Sequence, residues 1–252
     1  MSHLLPKIFS IITHKKPVIL SHHFTKFTNS ITTMTQKKRL RGIIFDMDGT
    51  LTVPVIDFPA MYRAVLGEED YISVKSNSPS GIDILHHIEN WSPDKQQKAY
   101  ETIAEYEKQG MDRLQIMPGA AELCRFLDSK QIRRGLITRN VKDAVDLFHQ
   151  RFGILFSPAL SREFRPYKPN PDPLLHICST WDVHPTEVMM IGDSLKDDVA
   201  CGKNAGAFTC LLDETGRYDS TAFAIANLNP DFKVSSLVDI HSILETHFHL
   251  EP

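Results

Sequence analysis

Apolar and polar positions along the chain fall into two textures. Leu40 to Phe45 (LRGIIF) is a short, β-branched apolar run that ends in an acidic loop, the pattern of a buried parallel strand. Helical spacing follows over about Phe58 to Leu66. A polar Ser/Asn/Pro-rich loop is expected from Ser73 to Gly81, and helices again over about Ile82 to Glu89 and Pro93 to Gly110. The last of these opens on a Ser92-Pro93 pair and ends at a glycine. From Pro118 onward, strand-like and helical segments alternate. Strands are expected at Arg134 to Thr138, Phe156 to Leu160, Val188 to Gly192 and Ala207 to Leu212. Helices are expected at Gly119 to Ser129, Val141 to Phe152, Asn170 to Trp181, Val199 to Ala205 and Ser236 to His247. This alternation predicts an α/β fold, a Rossmann-like doubly wound parallel sheet with helices on both faces. The helical block over residues 53–116 then reads as an insertion after the first strand, between core segments 39–52 and 117–252.

Composition changes the picture mainly at the start. The 252 residues are 42% hydrophobic and 23% charged, near globular averages, and the net charge of -3 gives no reason to expect a nucleic-acid or membrane-surface partner. No apolar run approaches the roughly 20 residues a bilayer span needs. Cys124, Cys178, Cys201 and Cys210 have no CxxC or zinc-type spacing and read as reduced, mostly buried thiols. No acidic residue precedes Asp46, while Lys7, Lys15, Lys16, Lys26, Lys37, Lys38, Arg39 and Arg41 do, among many Ser and Thr. Such a basic, hydroxylated, acid-free leader resembles an organelle transit peptide over residues 1–38, expected to be disordered. Scarce Arg and abundant Ser and Thr favour a plastid (chloroplast) over a mitochondrion; the alternative is a cytoplasmic tail.

Candidate chemistry collects where a doubly wound sheet binds ligands, beyond the carboxyl ends of its strands. Asp46-Met47-Asp48-Gly49-Thr50 follows the first strand and Thr138-Arg139-Asn140 the second. Lys168 sits in a Pro-rich loop, and Gly192-Asp193-Ser194 with Asp197 and Asp198 follows a later strand. Crowded carboxylates raise one another's pKa unless a cation lies among them. Hard oxygen donors without paired His or Cys suggest Mg²⁺ rather than zinc. Lys and Thr beside that cation suggest an anionic group, phosphate being the economical choice. Each group also has a structural alternative: Asp46 and Asp48 as turn or cap residues, Thr138 and Asn140 as a helix N-cap, Lys168 as a solvated lysine. For Asp197 and Asp198 the alternative is a favourable helix N-terminus.

The ordered set DMDGT, Thr138, Lys168 and GDSLKDD resembles the four motifs of the haloacid dehalogenase-like (HAD) hydrolase superfamily, across about Gly42 to Leu212. The resemblance implies Asp46 as a nucleophile that forms an aspartyl-phosphate, and Asp48 as the general acid and then base. It implies Thr138 with backbone amides near Arg139 and Asn140, and Lys168, as the phosphate site. Asp46, the Asp48 carbonyl and Asp193 are implied as Mg²⁺ ligands. Counting forward from Asp193 points to Asp197 as the motif's second acid, and helix register counted back from Gly206 points to Asp198. Asp197 is preferred as a metal or lysine partner. An acid at position 48 argues against dehalogenation, and the absence of long apolar spans argues against an ion-pumping ATPase. The insertion resembles the C1 cap of phosphoglycolate phosphatase and its relatives, though shorter. Its candidate specificity residues are Arg63, His86, His87 and Arg113. The expected activity is a Mg²⁺-dependent phosphomonoesterase acting on a small phosphorylated metabolite, as a monomer or weak homodimer. A phosphomutase and a non-catalytic HAD-fold binding protein are the alternatives.

Overall fold

The computed structural model describes residues 37–78, 81–219 and 228–252. All but the end of the expected leader therefore lies outside the described residues.

The first apolar run is split. Lys38–Leu40 forms β1, and after Arg41, whose N–H donates to the Glu187 carbonyl, Gly42–Phe45 forms β2. β2 lies at the centre of a six-stranded, wholly parallel sheet. It pairs with β3 (Arg133–Ile137) and β5 (Val188–Gly192), and the sheet is extended by β4 (Ala159–Leu160) beside β3 and by β6 (Phe208–Leu212) and β7 (Phe232–Val234) beyond β5. The spatial order is β4-β3-β2-β5-β6-β7, so the chain runs outward on one side of β2 and then crosses to the other. β1 instead pairs in parallel with β8 (Phe248–Leu250) as a separate two-stranded ribbon that joins the two ends of the described chain. β1, β7 and β8 were not expected from the hydrophobic pattern.

Alternation within the continuous apolar strands explains why helices cover both faces. Ile43 and Phe45 of β2, with Met189 and Ile191 of β5, point into one cluster, while Ile44, Val188 and Met190 point into the other. The first face is covered by α5 (Ala120–Ser129), α6 (Lys142–Phe152) and α9 (Leu237–His247), which contribute Leu123, Phe148 and Ile240. On the second face lie α7 (Asp172–Trp181) and α8 (Ala200–Ala205), with Ile177, Trp181 and Cys201. All four cysteines are buried and free.

Between β2 and β3 the chain forms α1 (Phe58–Leu66), α2 (Glu68–Asn77), α3 (Ile84–Ile88) and α4 (Pro93–Asp112). They share a separate apolar cluster around Met61, Ile88 and Ile103. The Asp57 side chain caps α1 by accepting from the Ala60 N–H. α2 corrects the expected polar loop over Ser73 to Gly81: the helix runs on to Asn77 although Tyr71 is its one fully buried residue.

Close packing of α7 on β2 makes Gly42 a sensitive position. A Cβ there would lie 2.4 Å from Cζ3 of Trp181, whose indole N–H is anchored on the Ser157 carbonyl at 2.9 Å. Gly42→Ala is expected to lower stability by about 1–3 kcal/mol through overpacking, measurable as a lower urea midpoint at unchanged slope.

Candidate active site

Asp46 directly follows β2, and its N–H still continues the sheet by donating to the Ile191 carbonyl at 2.9 Å. The next residues turn sharply, and the Met47 carbonyl accepts N–H bonds from Leu51 and Thr52 at 2.9 Å. Gly49 sits at the tightest point with φ +84°, and a Cβ there would lie 2.8 Å from Asp193 Oδ2. Only glycine lets the first loop and the β5 loop approach this closely without strain.

Lys168 enters from the Pro-rich loop and is 1% exposed. Its ammonium donates to Oδ1 of Asp46 and to Oδ1 of Asp198, each at 2.6 Å. Burial alone would pull the Lys168 pKa down, but Asp198 and Asp46 outweigh it and hold the pKa above its ordinary value. The Asp198 carboxylate is further fixed by the Ser194 N–H on Oδ2 at 2.9 Å. It packs against Gly192, where a Cβ would lie 2.2 Å from Asp198 Cγ. Asp193 points into the same site and is paired with Arg217 at 2.9 Å.

Oxygens of Asp46, Asp193 and Asp198 all fall within 4.8 Å of one another. Burial raises the pKa of all three. Lys168 opposes this at Asp46 and at Asp198, and the Asp198 charge adds to it at Asp193. Three crowded, desolvated carboxylates against one buried lysine leave an excess of negative charge made of hard oxygen donors. That set fits a divalent cation that prefers oxygen ligands.

The second acid of the last motif corrects the sequence reading. Asp198, not Asp197, meets Lys168 and completes the acidic group; Asp197 instead accepts from Arg139 at 3.2 Å and from the Ser194 hydroxyl at 3.2 Å. Asp197 and Asp198 both lie in a π-helical turn, Leu195–Val199, and the helix register counted back from Gly206 is the one that agrees with the structure. Asp48 also differs from the other acids. Its side chain lies outside the group, held by Asn140 Nδ2 at 3.1 Å and the Thr138 hydroxyl at 3.3 Å. Burial raises its pKa, with those two donors opposing.

Residues expected to hold phosphate thus split by role. Thr138 and Asn140 surround Asp48, and the Asn140 N–H is turned onto Thr138 Oγ1 at 3.0 Å. The Arg139 guanidinium instead reaches across to Asp83, the capping residue of α3, while also holding Asp197. Arg162 makes a parallel contact with Glu107 of α4, through both guanidinium nitrogens. Together the loops and the helical insertion enclose a cavity of about 230 Å³ over Asp46, Asp48, Thr138, Lys168 and Asp193. None of Arg63, His86, His87 or Arg113 lines it. Arg63 is taken up by Glu68 and the Tyr71 ring, and His86 by Glu89 at the surface. The insertion's contribution is Tyr62, Glu107 and a set of apolar side chains.

A family model described as haloacid dehalogenase-like hydrolase matches residues 40–206. A haloacid dehalogenase-like hydrolase domain-containing protein of Arabidopsis thaliana is 75% identical over 220 residues, 87% of this chain and 90% of that protein. A phosphoglycolate phosphatase of Psychrobacter arcticus is 30% identical over 230 residues, covering 78% of this chain and 94% of its own length. Among solved structures, a predicted phosphoglycolate phosphatase from Haemophilus somnus superposes with a TM-score of 0.60 at 22% identity, over 81% of this chain and 97% of that one. The family model spans most of the described chain and the Arabidopsis relative is three-quarters identical, so the chain belongs to the haloacid dehalogenase-like hydrolase family, as a hydrolytic enzyme.

Proposed function

We propose that the protein is a Mg²⁺-dependent phosphomonoesterase for a small phosphorylated metabolite, working through an aspartyl-phosphate on Asp46. The supporting observation is the pairing of two unlike carboxyls at the cavity floor. Burial raises the pKa of both, but Asp46 is held by the Lys168 ammonium at 2.6 Å, whereas Asp48 is held only by the neutral donors Asn140 and Thr138. That difference separates a nucleophile from a proton donor.

With Oδ1 bonded to Lys168, Oδ2 of Asp46 attacks phosphorus and the ester P–O bond breaks. The Asp48 carboxylic acid protonates the departing oxygen, releasing the alcohol. Asp48, now a carboxylate, takes a proton from water as that water attacks phosphorus, and the acyl–phosphate bond breaks to restore Asp46 and free phosphate. Lys168 stays charged throughout and offsets charge building on the phosphoryl oxygens. A divalent cation held by Asp46 and Asp193, with Asp198 beside them, would supply further charge neutralisation when bound.

Two measurements test the reading. The purified protein with Mg²⁺ should release inorganic phosphate from an aryl phosphate, one per alcohol formed; activity no greater than that of Asp46→Asn removes the enzyme reading. Independently of turnover, Mg²⁺ at a hundred times its Kd should stabilise the fold by about 2.7 kcal/mol. Differential scanning calorimetry would show this as a higher Tm. Asp193→Asn should lose most of that increment, and an equal Mg²⁺ response in both proteins would rule Asp193 out as a ligand.

A further inference from the structure

The part of the cavity lining supplied by the helical insertion differs sharply from the polar floor supplied by the sheet loops. It is built from Ile56, Phe58, Met61, Ile82 and Leu85 of the helical insertion, with the Tyr62 ring beside Phe58 at 6.0 Å between centroids. Three cations line the cavity among the described residues, and each is already matched. Lys168 is held by Asp46 and Asp198, Arg139 by Asp83 and Asp197, and Arg162 by both oxygens of Glu107. The Arg162–Glu107 pair is well sheltered, with side chains 16% and 11% exposed.

From this arrangement we infer that the physiological substrate is the phosphate ester of an uncharged, largely apolar or aromatic alcohol, and that esters carrying a second anion are rejected. The inference rests on the phosphomonoesterase reading and narrows it. A substrate carboxylate entering the upper cavity would find no free cation among the described residues. Drawing Arg162 to it would strip Glu107 of its partner inside the same space, leaving two carboxylates facing one guanidinium. Using Arg139 would likewise release Asp83 and Asp197. Set against the apolar wall alone, the anion would lose its hydration with nothing in return. An apolar or aromatic leaving group gains from the same wall by burying its surface. The glycolate ester named for some relatives carries such a carboxylate, so this chain is expected to disfavour it.

The test compares two aryl phosphates of equal size on the Mg²⁺-loaded enzyme, 4-carbamoylphenyl phosphate and 4-carboxyphenyl phosphate, with 2-phosphoglycolate alongside. The neutral ester should show a kcat/KM at least tenfold above the carboxylated one, and 2-phosphoglycolate should be the weakest of the three. In Glu107→Gln, which frees the Arg162 guanidinium, the preference should shrink several-fold. Equal or better use of the carboxylated esters by the wild type overturns the inference while leaving phosphatase activity standing. So does a preference that Glu107→Gln leaves unmoved, because the exclusion would not then lie in the ion pairs. Hydrolysis of none of them above the Asp46→Asn level would sink the phosphomonoesterase reading itself, and this inference with it.

Discussion

Asp46→Asn is expected to abolish phosphate release, by at least about a thousandfold in kcat, while leaving the protein folded and no less stable without metal. Both halves follow from one geometry. An amide oxygen is a far poorer nucleophile than a carboxylate, and no second carboxylate takes its place: Asp198 is bonded to Lys168 and the Ser194 N–H, and Asp48 to Asn140 and Thr138. Burial disfavours the charged form of Asp46, and Asp193 and Asp48 add repulsion. The neutral amide therefore removes a destabilising charge, while Lys168 keeps Asp198 as its partner. Activity lost at an unchanged or higher Tm is the signature of a site whose charges serve chemistry at the expense of stability. A variant that lost activity and several degrees of Tm together would place Asp46 as a structural partner of Lys168 instead.

The parts of this site that could be read from the sequence are those fixed by short stretches of chain. Val188 to Gly192 stands out because a strand buried on both faces needs an unbroken apolar run, and Asp46 and Asp193 are placed by where such runs stop. β1 and β8 carry no comparable signal. Lys38–Leu40 and Phe248–Leu250 are three residues each, and their partnership is set across the whole length of the described chain. The second half of α2, Ser73 to Asn77, reads as loop in the sequence because the helix has no apolar stripe. The choice between Asp197 and Asp198 turns on which end is counted from: the spacing forward from Asp193 points to Asp197, while the helix register counted back from Gly206 points to Asp198, the acid that meets Lys168. Arg162 and Glu107 lie far apart in sequence and have no motif around them. Only the docking of α4 against the core brings them to the cavity, so cap residues chosen by charge alone missed them.

Lys168→Met is expected to cost more stability than any other single change at the site, about 3–5 kcal/mol, the range for removing one partner of a buried ion pair. Lys168 sits between two buried carboxylates, each at 2.6 Å, and both already suffer from burial. Methionine fills similar volume, so packing changes little and the loss reports electrostatics. Activity should fall with it, because nothing then offsets charge on the phosphoryl oxygens. A second substitution separates the two effects. Adding Asp198→Asn to Lys168→Met removes one of the stranded carboxylates and should recover a large part of the lost stability, measured by urea unfolding. It should recover none of the activity. The two substitutions are coupled through direct contact, so their energies should be strongly non-additive. An additive double variant would mean that Asp198 is compensated by other groups, and that the Asp46–Lys168–Asp198 chain does not act as one unit.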